Sequence, residues 1–106
     1  MRITNDLVVD DHEIQERFVR SIGADGENPR RKATAVELRL DIDRSSLPAD
    51  VRARLRVLGG RHVTGTGVLV VVSRRHRSQE RNRDAARKQL LHLLQDASRP
   101  TAERAS

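Results

Sequence analysis

The chain contains no cysteine, so no disulfide framework, no thiol nucleophile and no Cys-based zinc site can be built from it. Aromatic residues are almost absent: Phe18 stands alone, with no Tyr and no Trp. Base-stacking nucleic-acid readers, which need several aromatic faces, are thereby disfavoured. No apolar run approaches the ~18 residues of a membrane-spanning helix. The first residues, Met1-Arg2-Ile3-Thr4-Asn5-Asp6, lack both a charged-then-apolar leader and the Arg/Ser richness of a transit peptide. A reduced cytoplasmic setting is expected, without membrane contact.

What is abundant is charge. Of 106 residues, 34% are charged and 36% hydrophobic, enough for one domain with a modest aliphatic core. The net charge of +6 is uneven. Residues 1–16 carry −4, whereas residues 61–88 hold seven Arg and one Lys against Glu80 and Asp84. Clustered positive charge on a small domain fits a polyanionic partner, which it attracts by steering and counterion release. Without stacking aromatics, the expected mode is contact along phosphates. An Arg-rich solvated surface with no partner is the competing interpretation.

The chain reads as strand, loop, strand, helix, strand, helix. Leu7-Val8-Val9 is a short edge strand, and Gln15 to Arg20 alternates weakly. Residues 21–33 hold two Gly, a Pro and an Asn with no apolar period, and form a long loop. Loops of that length inside a compact domain tend to be functional. Val36, Leu38, Leu40 and Ile42 then alternate with Glu37, Arg39, Asp41 and Asp43, the pattern of a strand with one buried face.

Ser45-Ser46-Leu47-Pro48 opens a helix whose Val51, Leu55 and Leu58 share a face, with Pro48 at its first position and Gly59-Gly60 ending it. A Gly65-Thr66-Gly67 turn leads into Val68-Leu69-Val70-Val71-Val72. With no polar member, this run reads as a central strand buried on both faces. Ser78 is the N-cap of a last helix over 78–96, on which Ala86, Leu90, Leu93 and Ala97 line the core face beside Leu94. Residues 98–106 read as a short polar tail. The expected class is α+β: a small mixed or antiparallel sheet, β-β-α-β, with a C-terminal helix and the long loop between the first two main strands.

These elements resemble a known family. Thr34-Ala35-Val36-Glu37-Leu38-Arg39, Ser46-Leu47-Pro48, Gly67-Val68-Leu69-Val70 and Arg77-Ser78-Gln79 with Asn82-Arg83 follow in the order and spacing of one domain. It is the catalytic domain of class I peptide chain release factors and of stand-alone ribosome-rescue hydrolases. The resemblance spans about residues 3–97. It implies an arm that enters the ribosomal peptidyl transferase centre, where a Gly-Gly-Gln motif helps water cleave the ester of peptidyl-tRNA. The implied partners are the ribosome, its rRNA and peptidyl-tRNA, bound by a monomer; no DNA, metal or cofactor is implied.

The motif itself departs from the pattern. Ungapped alignment from Gly23-Ala24 to Thr34-Ala35 puts Asp25, Gly26 and Glu27 on the catalytic positions. Glu27 keeps the backbone N–H that the family uses to stabilise developing negative charge. Its carboxylate cannot donate a hydrogen bond while ionised and is repelled by RNA phosphates. Asp25 adds a second negative charge where Gly allowed positive φ, and Pro29 removes an N–H. All three changes predict weakened hydrolysis.

By their charge, Arg30, Arg31, Lys32, Arg74, Arg75 and Arg77 are the expected RNA contacts, against the alternative of solvated charges, and Gly23, Ser78 and Gln79, with Arg77, are expected to support the loop base. The rescue hydrolases usually carry a long basic tail; in this sequence Arg99 and Arg104, opposed by Glu103, follow the last helix. Three functions follow for testing: a ribosome-dependent peptidyl-tRNA esterase, a non-catalytic ribosome- or RNA-binding paralogue, and a protein-interaction module docked through acidic residues 1–16. His12, His62, His76 and His92 show no metal spacing.

Overall fold

A computed structural model describes residues 1–20 and 34–100. The central layer is a three-stranded antiparallel sheet flanked by a short hairpin. β1 (Arg2–Thr4) and β2 (Leu7–Val8) form the hairpin. The sheet runs in the order β3 (Ile14–Val19), β4 (Ala35–Asp41) and β5 (Val68–Ser73). α1 (Ala49–Gly59) connects β4 towards β5, and α2 (Gln79–Ser98) follows β5. The strand–strand–helix–strand–helix order read from the sequence is therefore observed, and the class is α+β.

The alternation on β4 becomes burial. Val36, Leu38 and Leu40 lie on one face, opposite Ser73, Val71 and Leu69 of β5, and α2 packs over β4 and β5. α1 packs in turn against α2. From α1, Val51 and Leu55 enter the core, and from α2, Ala86, Leu90, Leu94 and Ala97. Side chains of this aliphatic kind contribute about 1.5–3 kcal/mol each on full burial, so the core compensates for its lack of aromatics by number. The lone aromatic, Phe18, is 51% exposed.

Two expectations about burial are corrected. The first concerns β5, which is an edge strand; β4 is the central one. Leu69, Val71 and Ser73 are buried, but Val68, Val70 and Val72 are half-buried. Among the described residues, no helix covers their face. Instead they lie opposite Asp41, Arg39 and Glu37 of β4, and Glu37 is held between Arg17 at 3.7 Å and Arg39 at 3.9 Å. Ion-paired side chains with long apolar stems shield valines that the sequence pattern would have placed under a second layer.

The second correction is on α2, where Leu94 is fully buried and Leu93 only partly. Asn82, Ala86, Leu90 and Leu94 are spaced four apart, and that row faces the sheet.

The helix boundaries follow local chemistry. Pro48 stands at the cap of α1, one residue before the expected position, and its carbonyl accepts from the Arg52 N–H at 2.9 Å. Gly60 ends α1 at φ 51°, its N–H donating to Val57 O. Before β5, Gly67 adopts φ 84° and closes a turn on the carbonyl of Thr64 at 3.0 Å. α2 runs two residues beyond the expected 96. The hairpin strand β1 was not read from the sequence; its Ile3 is buried, and Gln95 of α2 donates to the Ile3 carbonyl at 3.2 Å. No helix among the described residues is long and apolar enough to cross a membrane.

Candidate functional site: the root of the 21–33 segment

The last pairing between β3 and β4 sets Val19 opposite Ala35. Segment 21–33 thus leaves and re-enters the fold at one end of the sheet. At that same end Val36 is opposite Ser73, the last residue of β5. Arg74, Arg75, His76 and Arg77 follow at once, and then Ser78 caps α2 by accepting from the Arg81 N–H at 3.3 Å. Strand register alone therefore gathers the root, the arginine run and the start of the last helix.

Gly23, Asp25, Gly26, Glu27, Arg30, Arg31 and Lys32 lie outside the described residues. Arg74, Arg75 and Arg77 are exposed and form no ion pair with any described residue. Ser78 and Gln79 sit at the start of α2.

Among the described residues, the bond that reaches the root comes from a residue the sequence analysis did not assign to the site. Asn82 is fully buried. Its Nδ2 donates to the carbonyl of Thr34 at 2.7 Å and to that of His76 at 2.8 Å. Its Oδ1 accepts from the His76 N–H at 2.9 Å and the Ser73 hydroxyl at 3.1 Å. The available signal was positional: Asn82 lies one α-helical repeat before Ala86, on the row that goes inside. A buried amide must find partners or cost about 1–3 kcal/mol, so its place on the apolar face announces a polar network.

Charge is sorted across α2. On one flank Arg83 pairs with Glu16 at 2.7 Å and Arg87 with Asp11 at 3.5 Å. Two acids of the N-terminal stretch thus neutralise that side of the helix. On the other flank an open groove of about 680 Å³ runs between β5 and α2. Arg75, His76, Arg81, Lys88 and His92 line it, with Asp84 and Asp96 among them. Arg81 and Lys88 are exposed and have no ion-pair partner among the described residues. Arg74, Arg75, Arg77, Arg81 and Lys88, which pair with no described residue, thus lie around the groove and the arginine run beside the root. No group of three or more His, Asp or Glu stands where a metal could be held, among the described residues.

A strand pair that ends at the root of the 21–33 segment, braced from the last helix and edged with arginines that pair with no described residue, agrees with the release-factor resemblance drawn from the sequence. The RF-1 domain family matches residues 2–106, and the chain belongs to that family. Over 104 residues it is 36% identical to the peptidyl-tRNA hydrolase ArfB of Pseudomonas putida, a match that covers 98% of this chain and 76% of that protein.

Proposed function

We propose that this chain is a ribosome-rescue factor that binds the ribosome in the cytoplasm and promotes hydrolysis of the peptidyl-tRNA ester, at a rate reduced by its Asp25-Gly26-Glu27 motif. The observation that carries the reading is the 36% identity to a peptidyl-tRNA hydrolase across nearly the whole chain, root and last helix included. The coarse charge distribution supports it. Arg74, Arg75 and Arg77 would meet rRNA phosphates beside the root, joined by Arg30, Arg31 and Lys32 of the segment itself. Such contacts position a protein on RNA without reading sequence.

In this reading the ribosome supplies the substrate, and the chain supplies a backbone donor and a water site. The N–H of Glu27 would stabilise negative charge that develops as the ester carbonyl is attacked. A carboxylate such as the Glu27 side chain, when ionised, accepts a hydrogen bond from water but gives none. It can serve as a base, taking a proton from the attacking water, but only against repulsion from the surrounding phosphates. Asp25 adds to that repulsion. Gly26 keeps the middle position free of a Cβ, so the backbone can approach RNA closely.

The test is peptide release from stalled ribosomes by the native chain and by Asp25→Gly combined with Glu27→Gln. Release above the spontaneous rate is expected from the native chain, rising about 10-fold or more in the double variant. Native protein at saturation that gives only the spontaneous rate overturns the hydrolase reading. The second reading, a ribosome-binding paralogue without catalysis, is favoured by the two carboxylates at the motif. It would survive that result if the chain still sediments with ribosomes at low salt.

A further inference from the structure

We infer that Asn82 is a positioning residue for the 21–33 segment, acting through the backbone of Thr34 rather than by touching substrate. The inference rests on the hydrolase reading for its catalytic consequence but not for its structural one. Asn82 uses its whole hydrogen-bonding capacity at once. Both Nδ2 hydrogens are taken, by Thr34 O at 2.7 Å and His76 O at 2.8 Å. Both lone-pair directions of Oδ1 are taken as well, by the Ser73 hydroxyl at 3.1 Å and the His76 N–H at 2.9 Å. An amide is the side chain that offers two donors and two acceptor sites at this reach. A carboxylate would set negative oxygens against two carbonyls, and a leucine would leave four polar groups without partners.

The bonds join three pieces of chain that carry the candidate chemistry. Thr34 is the first described residue after the segment, one position before the Val19–Ala35 pairing. His76 lies within the arginine run, and Ser73 closes β5. Asn82 itself is anchored in the first turns of α2, whose Ala86 and Leu90 are fixed in the core. The root is therefore referenced to the rigid helix and not only to its own strands, which end at this point. A catalytic group carried on a segment about 13 residues long gains rate only if its exit direction is fixed, since misplacement by ~1 Å can cost about 100-fold. Moving the root would also move Arg75 and Arg77, because one amide holds both.

The test compares Asn82→Ala, Asn82→Asp, Ser73→Ala and a core control, Leu90→Val, chosen to lower stability without touching the root. Ser73→Ala removes one bond to Asn82 and leaves its donors on Thr34 and His76. The first measurement is amide exchange in the free protein. Asn82→Ala should lose protection about 10-fold or more at Val19, Ala35 and His76 while Leu38 and Val71 in mid-sheet change with global stability only. The second is peptide release at saturating and limiting ribosome concentration. Both Asn82 variants should lower kcat about 10-fold or more with KM within about twofold, Ser73→Ala should lower kcat by less than either, and Leu90→Val should keep it within about twofold.

Uniform loss of protection across the sheet, or a kcat loss shared by Leu90→Val, overturns the inference and leaves Asn82 a stabilising residue only. If Asn82→Asp does not fold, Asn82→Ala and Ser73→Ala decide the matter. If the native chain releases no peptide, the hydrolase reading falls by itself, and the exchange pattern still decides whether Asn82 fixes the root.

Discussion

The carboxylate of Glu13 accepts from both the N–H and the hydroxyl of Ser46, at 2.6 and 2.8 Å, across 33 residues of sequence. It also accepts from the N–H of Asp10 at 2.9 Å. One side chain thereby joins the acidic N-terminal stretch to the turn that opens α1. Burial on its own would raise the Glu13 pKa, but the bonds from Ser46 and Asp10 outweigh it, and the group titrates below its ordinary 4.5. A depressed folded pKa means that the carboxylate stabilises the fold above the unfolded value, and that this contribution disappears as pH falls through the folded one. Glu13→Gln should therefore cost about 1 kcal/mol at pH 7, a modest figure because the site meets solvent. In urea titrations the gap between native and variant should narrow as pH falls below the ordinary 4.5 and close once it passes the depressed folded value. A gap that persists in acid would show that shape, not charge, matters at this position.

The division of charge across α2 gives a prediction about salt. Arg83 and Arg87 are already neutralised by Glu16 and Asp11, whereas Arg74, Arg75 and Arg77 are not paired with any described residue. Replacing the latter three by Gln should weaken ribosome association and reduce the slope of log affinity against log salt by about 2–3. Arg83→Gln with Arg87→Gln should leave that slope nearly unchanged and lower stability slightly. Sedimentation over a salt series reads both. Equal slopes for the two sets would mean that the pairing seen on the N-terminal flank does not govern which cations meet RNA.

Periodicity made β4 legible, because a strand with one wet face writes its burial into alternation: Val36, Leu38, Leu40 and Ile42 are all inside. The cap residues made α1 and α2 legible for the same local reason. The valines of β5 were harder, since an uninterrupted apolar run cannot say whether its second face is covered by a helix or by the stems of Glu37 and Arg39. Asn82 was least legible as a brace. Its partners Thr34, Ser73 and His76 are brought to it by strand register and by the chain turn after β5, which no spacing along the sequence encodes.

The rotation of α2 is where pattern reading and packing part company, and it can be checked directly. A run of Leu90, Leu91, Leu93 and Leu94 offers two plausible faces, since Leu93 and Leu94 point about 100° apart around the axis while Ala86, Leu90 and Ala97 are common to both. Leu94 is fully buried and Leu93 is only packed against the core margin. Leu94→Ala should cost about 2–5 kcal/mol by leaving a cavity. Leu93→Ala should cost under half as much, read as the shift in denaturant midpoint at constant m. A larger cost for Leu93→Ala than for Leu94→Ala would place the helix in the orientation the sequence suggested.

The paired glycines that end α1 should fail for different reasons when given a side chain. A Cβ on Gly59 would stand 2.5 Å from Cγ2 of Val63 and 3.2 Å from Cδ1 of Leu69. Val63 and Leu69 are bridged to one another, so the Val63 backbone cannot simply retreat. Gly59→Ala should then cost about 1–3 kcal/mol through overpacking. Gly60 has open space around the same position but sits at φ 51° and ψ −123°, a conformation that side chains resist. Its substitution by Ala should cost about as much, through strain. A double-mutant cycle separates the two: Val63→Ala makes room beside Gly59 and should recover most of the Gly59→Ala loss, giving a coupling of about 1 kcal/mol or more. The same Val63→Ala change should be additive with Gly60→Ala, because no removed methyl relieves a backbone angle. Coupling to both glycines would mean that the turn relaxes as one unit and that the steric contact at Gly59 is not what excludes a side chain there.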